Sequence, residues 1–209
     1  MPPCGARDET PPHHHAGMPQ ELPLFAAAPQ VLVTDAECGI RYLPAVVDAE
    51  RAQRWFEVLR DTLAWKSERR PMYDRVVDVP RLTAGYELSS RTLPAVLSEA
   101  RECIDAHVEA PFTHVGLNFY RDGRDSVAPH NDKLHSLAAG HPIALLSLGA
   151  TRRMDIRDKQ PPRTTRRVPL EPRSLLLMSH ASQHHYEHGI PKPREAVGPR
   201  ISVVFRVRP

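Results

Sequence analysis

The second half of the chain is a series of short strand-forming segments separated by turn residues. This pattern limits the possible folds more than any other feature of the sequence. After residue 112 the segments include "HVGLNFY", "IALLSLG", "SLLLMS" and "RISVVFRV", split by Gly, Pro, Asp or basic residues. Many short strands at regular spacing are typical of a β-sandwich or small barrel. With 22 prolines against 10 glycines, the composition also favours stiff loops over a helical bundle.

Two helices are predicted before these strands. Asp48 is placed as the N-cap of the first, and apolar residues follow it at helical spacing: Ala52, Trp55, Phe56, Leu59 and Leu63. The second is predicted in residues 93–110, where Cys103 and His107 share an apolar stripe and are expected to pack rather than bind metal. Helices followed by strands predict the α+β class, with the N-terminal helices packed on one sheet.

Residues 1–30 show no periodicity and are predicted to be a disordered or loosely attached tail, which leaves one domain over 31–209. Residues 66–92 are polar, interrupted by proline and too irregular for a long element. Connections of this length are often functional, and this one contains arginines beside Tyr73 and Tyr86. We therefore predict a substrate-recognition lid here, with a solvated loop as the alternative.

Composition also sets expectations for the cellular setting. The three cysteines show no C-x-x-C spacing, and the chain has neither an apolar run of membrane-spanning length nor the regions of a signal peptide. We expect a cytoplasmic monomer without membrane contact. Lys and Arg outnumber Asp and Glu by 28 to 25, which permits a nucleic-acid partner without requiring one.

The segment "HND" is a possible metal site. In an extended segment His130 and Asp132 point to the same side, so imidazole and carboxylate can meet at one ion. Two His and one carboxylate form the facial triad of non-haem Fe(II) oxygenases, which leaves open positions for a cosubstrate and O₂. The third ligand is not fixed by the sequence, because four later histidines are available: His180, His184, His185 and His188.

The last predicted strand, "RISVVFRV", has two different faces. One face is entirely apolar and should meet the helices, so Arg200 and Arg206 are placed on the opposite, interior face. A buried guanidinium is costly unless an anion pairs with it, and a dicarboxylate cosubstrate would supply such anions. The alternative is that Arg206 and Arg208 belong to an exposed basic end of the chain.

Taken together in order, these motifs are highly specific. The run N-x-Y-x-D-G from Asn118 to Gly123, then H-x-D, then "HHYEHGIPK" and finally "RISVVFR" resemble the AlkB family of Fe(II)- and 2-oxoglutarate-dependent dioxygenases over about residues 40–209. The resemblance implies a double-stranded β-helix (jelly-roll) core. It also implies that His130, Asp132 and His188 hold the iron.

The resemblance further implies how 2-oxoglutarate is bound. Arg200 pairs with its distal carboxylate, Arg206 assists near the keto-acid end, and Asn118 and Tyr120 donate or accept hydrogen bonds. The implied reaction uses Fe(II), 2-oxoglutarate and O₂ to dealkylate bases of DNA or RNA, and it releases succinate, CO₂ and an aldehyde. No catalytic residue is required beyond the metal centre.

Substrate recognition departs from the family pattern. Repair members commonly carry an acidic residue two positions after the ligand Asp, where this chain has Leu134. We expect His135 to replace the missing polar contact, and the basic turns at 151–153 and 163–167 to contact phosphates. Leucine at this position leaves a second function open, the hydroxylation of a protein, lipid or small molecule. A third alternative is a non-catalytic nucleic-acid-binding module.

Overall fold

The computed structural model describes residues 28–72 and 75–209, with side chains described outside 68–78. The predicted tail lies outside these residues apart from its last few, and Tyr73 lies outside them too. Twelve strands are present within the described range: β1 Gln30–Val33, β2 Ile40–Leu43, β3 Lys66–Met72, β4 Arg75–Glu87, β5 His114–Tyr120, β6 Val127–His130, β7 Ile143–Gly149, β8 Arg152–Asp158, β9 Thr165–Leu170, β10 Leu175–Met178, β11 Tyr186–Ile190 and β12 Arg200–Arg206. The helices are α1 Ala49–Thr62, α2 Ala95–Asp105 and the short α3 Ser182–His185, with a 3-10 turn at Leu134–Ser136.

The strands form two antiparallel sheets. The large sheet has eight strands in the order β1-β2-β10-β7-β12-β5-β4-β3, and the small sheet has four in the order β6-β11-β8-β9. One apolar cluster contains residues of both sheets, such as Tyr42 and Val204 from the large sheet with Met154 and Ile156 from the small one. The two sheets therefore pack face to face, which confirms the predicted α+β class with a jelly-roll core.

The two long helices cover the outer face of the large sheet. Asp48 caps α1 as predicted, since its carboxylate accepts a hydrogen bond of 2.8 Å from the backbone N–H of Arg51. Trp55 of α1 is fully buried, and its indole N–H donates to Glu99 of α2 at 2.9 Å. The apolar residues Ile201, Val203 and Phe205 of β12 pack in the same cluster as the helices, as the alternation predicts, and so does Val207 directly after the strand.

Cys103 and His107 have different surroundings. Cys103 packs against the same helix-side cluster, and its thiol approaches the carbonyl of Val46 at 3.5 Å, whereas His107 is exposed. The expectation that this stripe is for packing is confirmed for Cys103.

The region 66–92 is not an irregular loop, so that prediction is wrong. β3 and β4 pair as an antiparallel hairpin that extends the large sheet beyond β5. The prolines that suggested irregularity lie where a sheet tolerates them: Pro71 is on the edge strand β3, and Pro80 falls where the register shifts beside Ser67–Arg69. A lid role for the hairpin stays a prediction.

Candidate active site

The inner face of the large sheet, the side that faces the small sheet, presents a row of polar side chains. On β12 these are Arg200, Ser202 and Arg206, and the register places Arg200 opposite Tyr120 and Ser202 opposite Asn118. The alternation along β5 and β12 makes directly paired residues share a face. The sequence-predicted residues of two strands are thus brought onto one surface.

His130 and His188 lie side by side on the small sheet. They are register partners on β6 and β11, and their ring centroids are 4.6 Å apart. The Nδ1–H of His130 donates to the carbonyl of Ala128 at 2.9 Å, which leaves Nε2 with the lone pair that can bind a metal. Burial and the neighbouring His130 lower the pKa of His188 to about 3, so His188 is neutral at physiological pH.

Asp132 is held by an arginine from the other sheet. Arg206 donates to it twice, from Nε to Oδ2 at 2.9 Å and from Nη2 to Oδ1 at 3.1 Å. The backbone N–H of Asp132 donates to the side-chain oxygen of Gln183 at 3.0 Å. Burial alone would raise the pKa of Asp132, but the charge and hydrogen bonds of Arg206 outweigh burial and lower it. Asp132 is therefore an oriented carboxylate anion.

Arg206 was predicted to assist near the keto-acid end of a cosubstrate, and that role stays a prediction. In the structure two of its three nitrogens bind Asp132, a predicted metal ligand. The side chain does face the interior, and the alternative of an exposed basic chain end does not apply to Arg206. Arg208, in contrast, is exposed.

His130, Asp132 and His188 are the residues that fit a metal. Among the residues that the structure describes, no three His, Cys, Asp or Glu side chains already have the arrangement of a metal-bound site. The chemistry of this set nonetheless fits Fe(II), because two neutral imidazoles and one carboxylate are the donors of the facial triad. Each Asp132 oxygen has more than one lone pair, so a hydrogen bond to Arg206 leaves room for a metal bond.

Arg200 is a fully buried cation, and no carboxylate of the described residues pairs with it. Its Nη1 donates to Ser202, its Nη2 donates to Ser147 at 3.0 Å, and its Nε has no hydrogen-bond partner among the described residues. Burial lowers the pKa of Arg200 to about 10, which still leaves it protonated at neutral pH. A guanidinium in this state is suited to bind a carboxylate that enters from outside the chain.

Asn118 and Tyr120 line the same region. The Arg81 Nε–H donates to the side-chain oxygen of Asn118 at 2.8 Å, which fixes the amide orientation. Tyr120 is buried, and Arg200 and Arg152 each lie 5.6 Å from its ring centroid. Burial raises the pKa of Tyr120, so its hydroxyl is protonated and can donate.

Several residues of the site were missed from the sequence. Ser202 shares a strand face with Arg200 and was therefore accessible to prediction, whereas Ser147 and Arg81 reach the site only through the sheet register. Arg152 was predicted to contact phosphate from an exposed turn. It is instead buried and donates to three backbone carbonyls, those of Asp122, Asp125 and Pro191.

The predicted substrate residues are only partly brought to the site. Leu134 and His135 begin the 3-10 turn, two and three residues after Asp132, with Leu134 half-buried and His135 exposed. Tyr86 packs against the helix-side cluster on the opposite face of the sheet, so its predicted role in gripping a base is wrong. Side chains alternate between the two faces along β4, and this alternation directs Tyr86 toward the helices. The prolines of the segment made the alternation hard to recognise in the sequence.

The basic turns are largely neutralised by neighbouring carboxylates. Arg153 pairs with Asp155 at 2.8 Å, and Arg166 pairs with Asp158 at 3.4 Å. Arg163, in the turn between β8 and β9, and Arg167, on β9, are exposed. These two remain as candidates for phosphate contacts.

In the described part of the chain no helix is long and apolar enough to cross a membrane.

Comparison with known proteins identifies the family. A profile of the 2OG-Fe(II) oxygenase superfamily matches residues 39–206. Among curated proteins, the chain is 33% identical to "Alpha-ketoglutarate-dependent dioxygenase alkB homolog 3" of Mus musculus over 183 residues, which is 78% of this chain and 64% of that protein. It is 35% identical to "DNA oxidative demethylase ALKBH2" of Homo sapiens over 130 residues, or 59% of this chain and 50% of that protein.

A solved structure supports the fold. The non-heme alpha ketoglutarate dependent epimerase SnoN from nogalamycin biosynthesis superimposes with a TM-score of 0.56 at 14% identity, covering 82% of this chain and 81% of the other. The chain spans less than two thirds of the length of the curated relatives named above. Because the profile covers most of the chain and includes every residue of the polar inner face, the protein belongs to the 2OG-Fe(II) oxygenase superfamily, in which it is similar to AlkB homologues.

Proposed function

We propose that this protein is an Fe(II)- and 2-oxoglutarate-dependent dioxygenase that removes alkyl groups from nucleic-acid bases. The observation that carries the cosubstrate assignment is Arg200, a buried cation without an anion on the inner face of a superfamily fold. Relatives named as a DNA oxidative demethylase and as an alkB homologue support the substrate class.

In this proposal His130, Asp132 and His188 hold the iron. Bound together, Fe(II), 2-oxoglutarate and O₂ supply the oxidation of a substrate C–H bond, with release of succinate and CO₂. The chain keeps its three ligands ready: the carbonyl of Ala128 fixes the His130 tautomer, and burial keeps His188 neutral. Arg206 keeps Asp132 deprotonated and fixes its plane.

The cosubstrate would bind along the inner face of β5 and β12. Arg200 would pair with its distal carboxylate, and the hydroxyls of Ser147 and Ser202 already orient the guanidinium. Asn118 and Tyr120, the register partners on β5, would contact the same ligand.

Hydroxylation at the carbon of an N-alkyl group gives an unstable product that loses an aldehyde and restores the base. The protein's part is to place that carbon beside the iron and to exclude water. A stacked base cannot reach the metal, so a duplex substrate requires the base to be flipped out, whereas a single strand avoids that cost. Exposed Arg163 and Arg167 would contribute phosphate contacts.

Leu134 favours a second candidate function. It stands directly after the Asp132 segment and is half-buried, and its side chain cannot accept a hydrogen bond from an exocyclic amine. A hydroxylase of a protein side chain, lipid or small molecule would use the same iron and cosubstrate with an apolar contact here.

One experiment separates these functions. The protein is reconstituted anaerobically with Fe(II) and 2-oxoglutarate and then exposed to O₂, and succinate is measured with methylated, etheno-adducted and unmodified strands, single and duplex. Stimulation by adducted strands alone, with release of the restored base, supports dealkylation. Succinate formation that is indifferent to nucleic acid supports the second candidate, and iron-independent binding without turnover supports a binding module. Asp132→Ala serves as the control and should abolish succinate formation.

A further inference from the structure

Two glycines face each other on the inner face of the large sheet. Gly85 of β4 and Gly116 of β5 are direct register partners. The backbone they expose forms part of a groove of about 410 Å³, which lies within the range of about 300–1,000 Å³ typical of small-molecule sites. We call this side-chain-free surface the glycine floor.

Gly85 is not required by packing or by backbone conformation. A Cβ atom built at this position would meet only the carbonyl oxygen of Val115, at an ordinary contact distance of 3.6 Å. Its backbone is not among the left-handed glycines, which are Gly39, Gly140 and Gly149. Glycine inside a strand weakens the strand, and it often marks a position where a ligand approaches closely. The effect of glycine at this position is therefore to leave open space over the sheet, which a larger side chain would fill.

Gly116 connects this space to the metal ligands. A Cβ atom at Gly116 would come within 3.2 Å of Nη1 of Arg206, which is tighter than ordinary contact. The other two nitrogens of the same guanidinium bind Asp132 at 2.9 and 3.1 Å. A single guanidinium group therefore separates the glycine floor from the carboxylate of the metal set.

The rim of the groove carries polar groups. Glu87 and His114 are register partners two residues along the strands from the two glycines, and Arg206 is the partner of His114 on β12. Glu87 is exposed and His114 half-buried, while Arg208 lies at the exposed end. A flat peptide surface with carboxylate and imidazole groups at its edge is suited to a planar, hydrogen-bonding ring rather than to a bulky aliphatic group.

We propose that Gly85 is a specificity-determining residue, and that the glycine floor sets how large a planar base adduct can lie beside the metal centre. This inference rests on the proposed dealkylation function. A side chain at Gly85 would project into the groove and exclude a ring-extended base first, because such a base needs the most floor. A base that carries one methyl group needs less of it and is affected less.

The test compares Gly85→Ala and Gly85→Leu with wild type. Dealkylation kcat/KM is measured on single strands that carry either 1-methyladenine or ethenoadenine, together with succinate formed without nucleic acid. Binding of fluorescein-labelled strands is measured by anisotropy without O₂, with Mn(II) and 2-oxoglutarate present. Gly198→Leu is the matched control, since Gly198 is exposed and an added Cβ would make only an ordinary 3.5 Å contact with Ala150.

We expect Gly85→Leu to lower kcat/KM for the etheno strand about tenfold more than for the methyl strand, the size of effect that a steric change in a binding pocket produces. Its Kd for the etheno strand should rise in parallel, and Gly85→Ala should show the same trend more weakly. Succinate formation without nucleic acid and the melting temperature should not fall. The control should leave both ratios unchanged.

Two failures are distinguishable. If wild type forms succinate but dealkylates neither strand, the proposed function fails and this inference fails with it. If wild type dealkylates either strand and Gly85→Leu leaves both the kcat/KM ratio and the Kd ratio within about twofold of wild type, the inference alone is overturned.

Discussion

Replacing Arg200 by methionine should strongly weaken cosubstrate binding without lowering the stability of the ligand-free protein. The guanidinium is fully buried, and its Nε lacks a hydrogen-bond partner in the described structure. The titratable groups that influence its pKa are Tyr120, Arg152 and Tyr42, and none of these is a carboxylate. An unpaired buried charge costs folding free energy, so an apolar side chain of similar length should be neutral or stabilising in the absence of ligand. When 2-oxoglutarate is bound, the variant should instead be less stable than wild type, because in wild type the guanidinium is then paired with a carboxylate.

The size of the effect follows from the hydrogen bonds that are lost. A hydrogen bond to a charged group contributes about 1.5–3 kcal/mol, and about 2.7 kcal/mol corresponds to a roughly 100-fold rise in Kd. At a 2-oxoglutarate concentration about 100 times the wild-type Kd, ligand binding stabilises wild type by about 2.7 kcal/mol and the variant by about 0.4 kcal/mol. For a domain of this size, these values correspond to melting-temperature rises of about 5–11 °C and about 1–2 °C.

Differential scanning fluorimetry with Mn(II) in place of iron measures both quantities without turnover. Arg41→Met is the control, since Arg41 is exposed on β2 and should keep the full ligand-induced rise. Arg200→Met should match or exceed the melting temperature of ligand-free wild type and lose most of the rise. A variant that melts several degrees lower without ligand, yet keeps the rise with it, would refute the assignment of Arg200 to the cosubstrate.

Three further predictions test other parts of the structure. Arg206→Gln should weaken Mn(II) binding by about 10- to 100-fold in isothermal titration, because Asp132 loses the group that orients it; unchanged affinity would contradict that role. Asp125→Asn should lower the free energy of unfolding by about 1 kcal/mol at pH 7, measured in urea. Burial raises the pKa of Asp125, but hydrogen bonds from Arg121 outweigh burial and lower it below 3.8, so the difference from wild type should be full above pH 3.8 and shrink as the pH falls further. Leu97→Ala should cost about 2–5 kcal/mol in the same urea experiment, because Leu97 lies on the buried face of α2; a loss below about 1 kcal/mol would contradict the described core.

Local sequence patterns were sufficient to predict the placement of a side chain wherever that placement depends on a single helix or strand. The alternation of β12 placed its apolar residues against the helices and Arg200 toward the interior, and both placements are confirmed. The cap at Asp48 and the buried stripe of α1 were likewise local and were predicted correctly.

What the sequence could not supply was register between distant strands. Ser147 reaches Arg200 only because β7 pairs with β12 in one alignment, and a slip of one residue would turn Ser147 to the opposite face. Arg81 meets Asn118 for the same reason. Arg152 was predicted to be a solvated turn residue, because the three carbonyls to which it donates are distant from it in the sequence.

The spacing of the two arginines on β12 explains how one strand serves two ends of the site. Arg206 lies six positions after Arg200, a distance of about 20 Å on an extended strand, which is longer than a small dicarboxylate. One ligand cannot pair closely with both guanidinium groups unless both side chains fold inward. In the structure the two side chains have different surroundings. The buried Nε of Arg200 has no hydrogen-bond partner among the described residues, whereas Arg206 donates to Asp132, which follows β6 of the small sheet. Between them, the inner face of the strand carries Ser202 and then Val204, and the partner of Val204 on β5 is Gly116. The interior therefore changes along β12 from a buried cation suited to an anion, through the glycine floor, to the proposed metal ligands. Under the proposed function, this order separates the residues that would bind the cosubstrate from those that would contact the substrate.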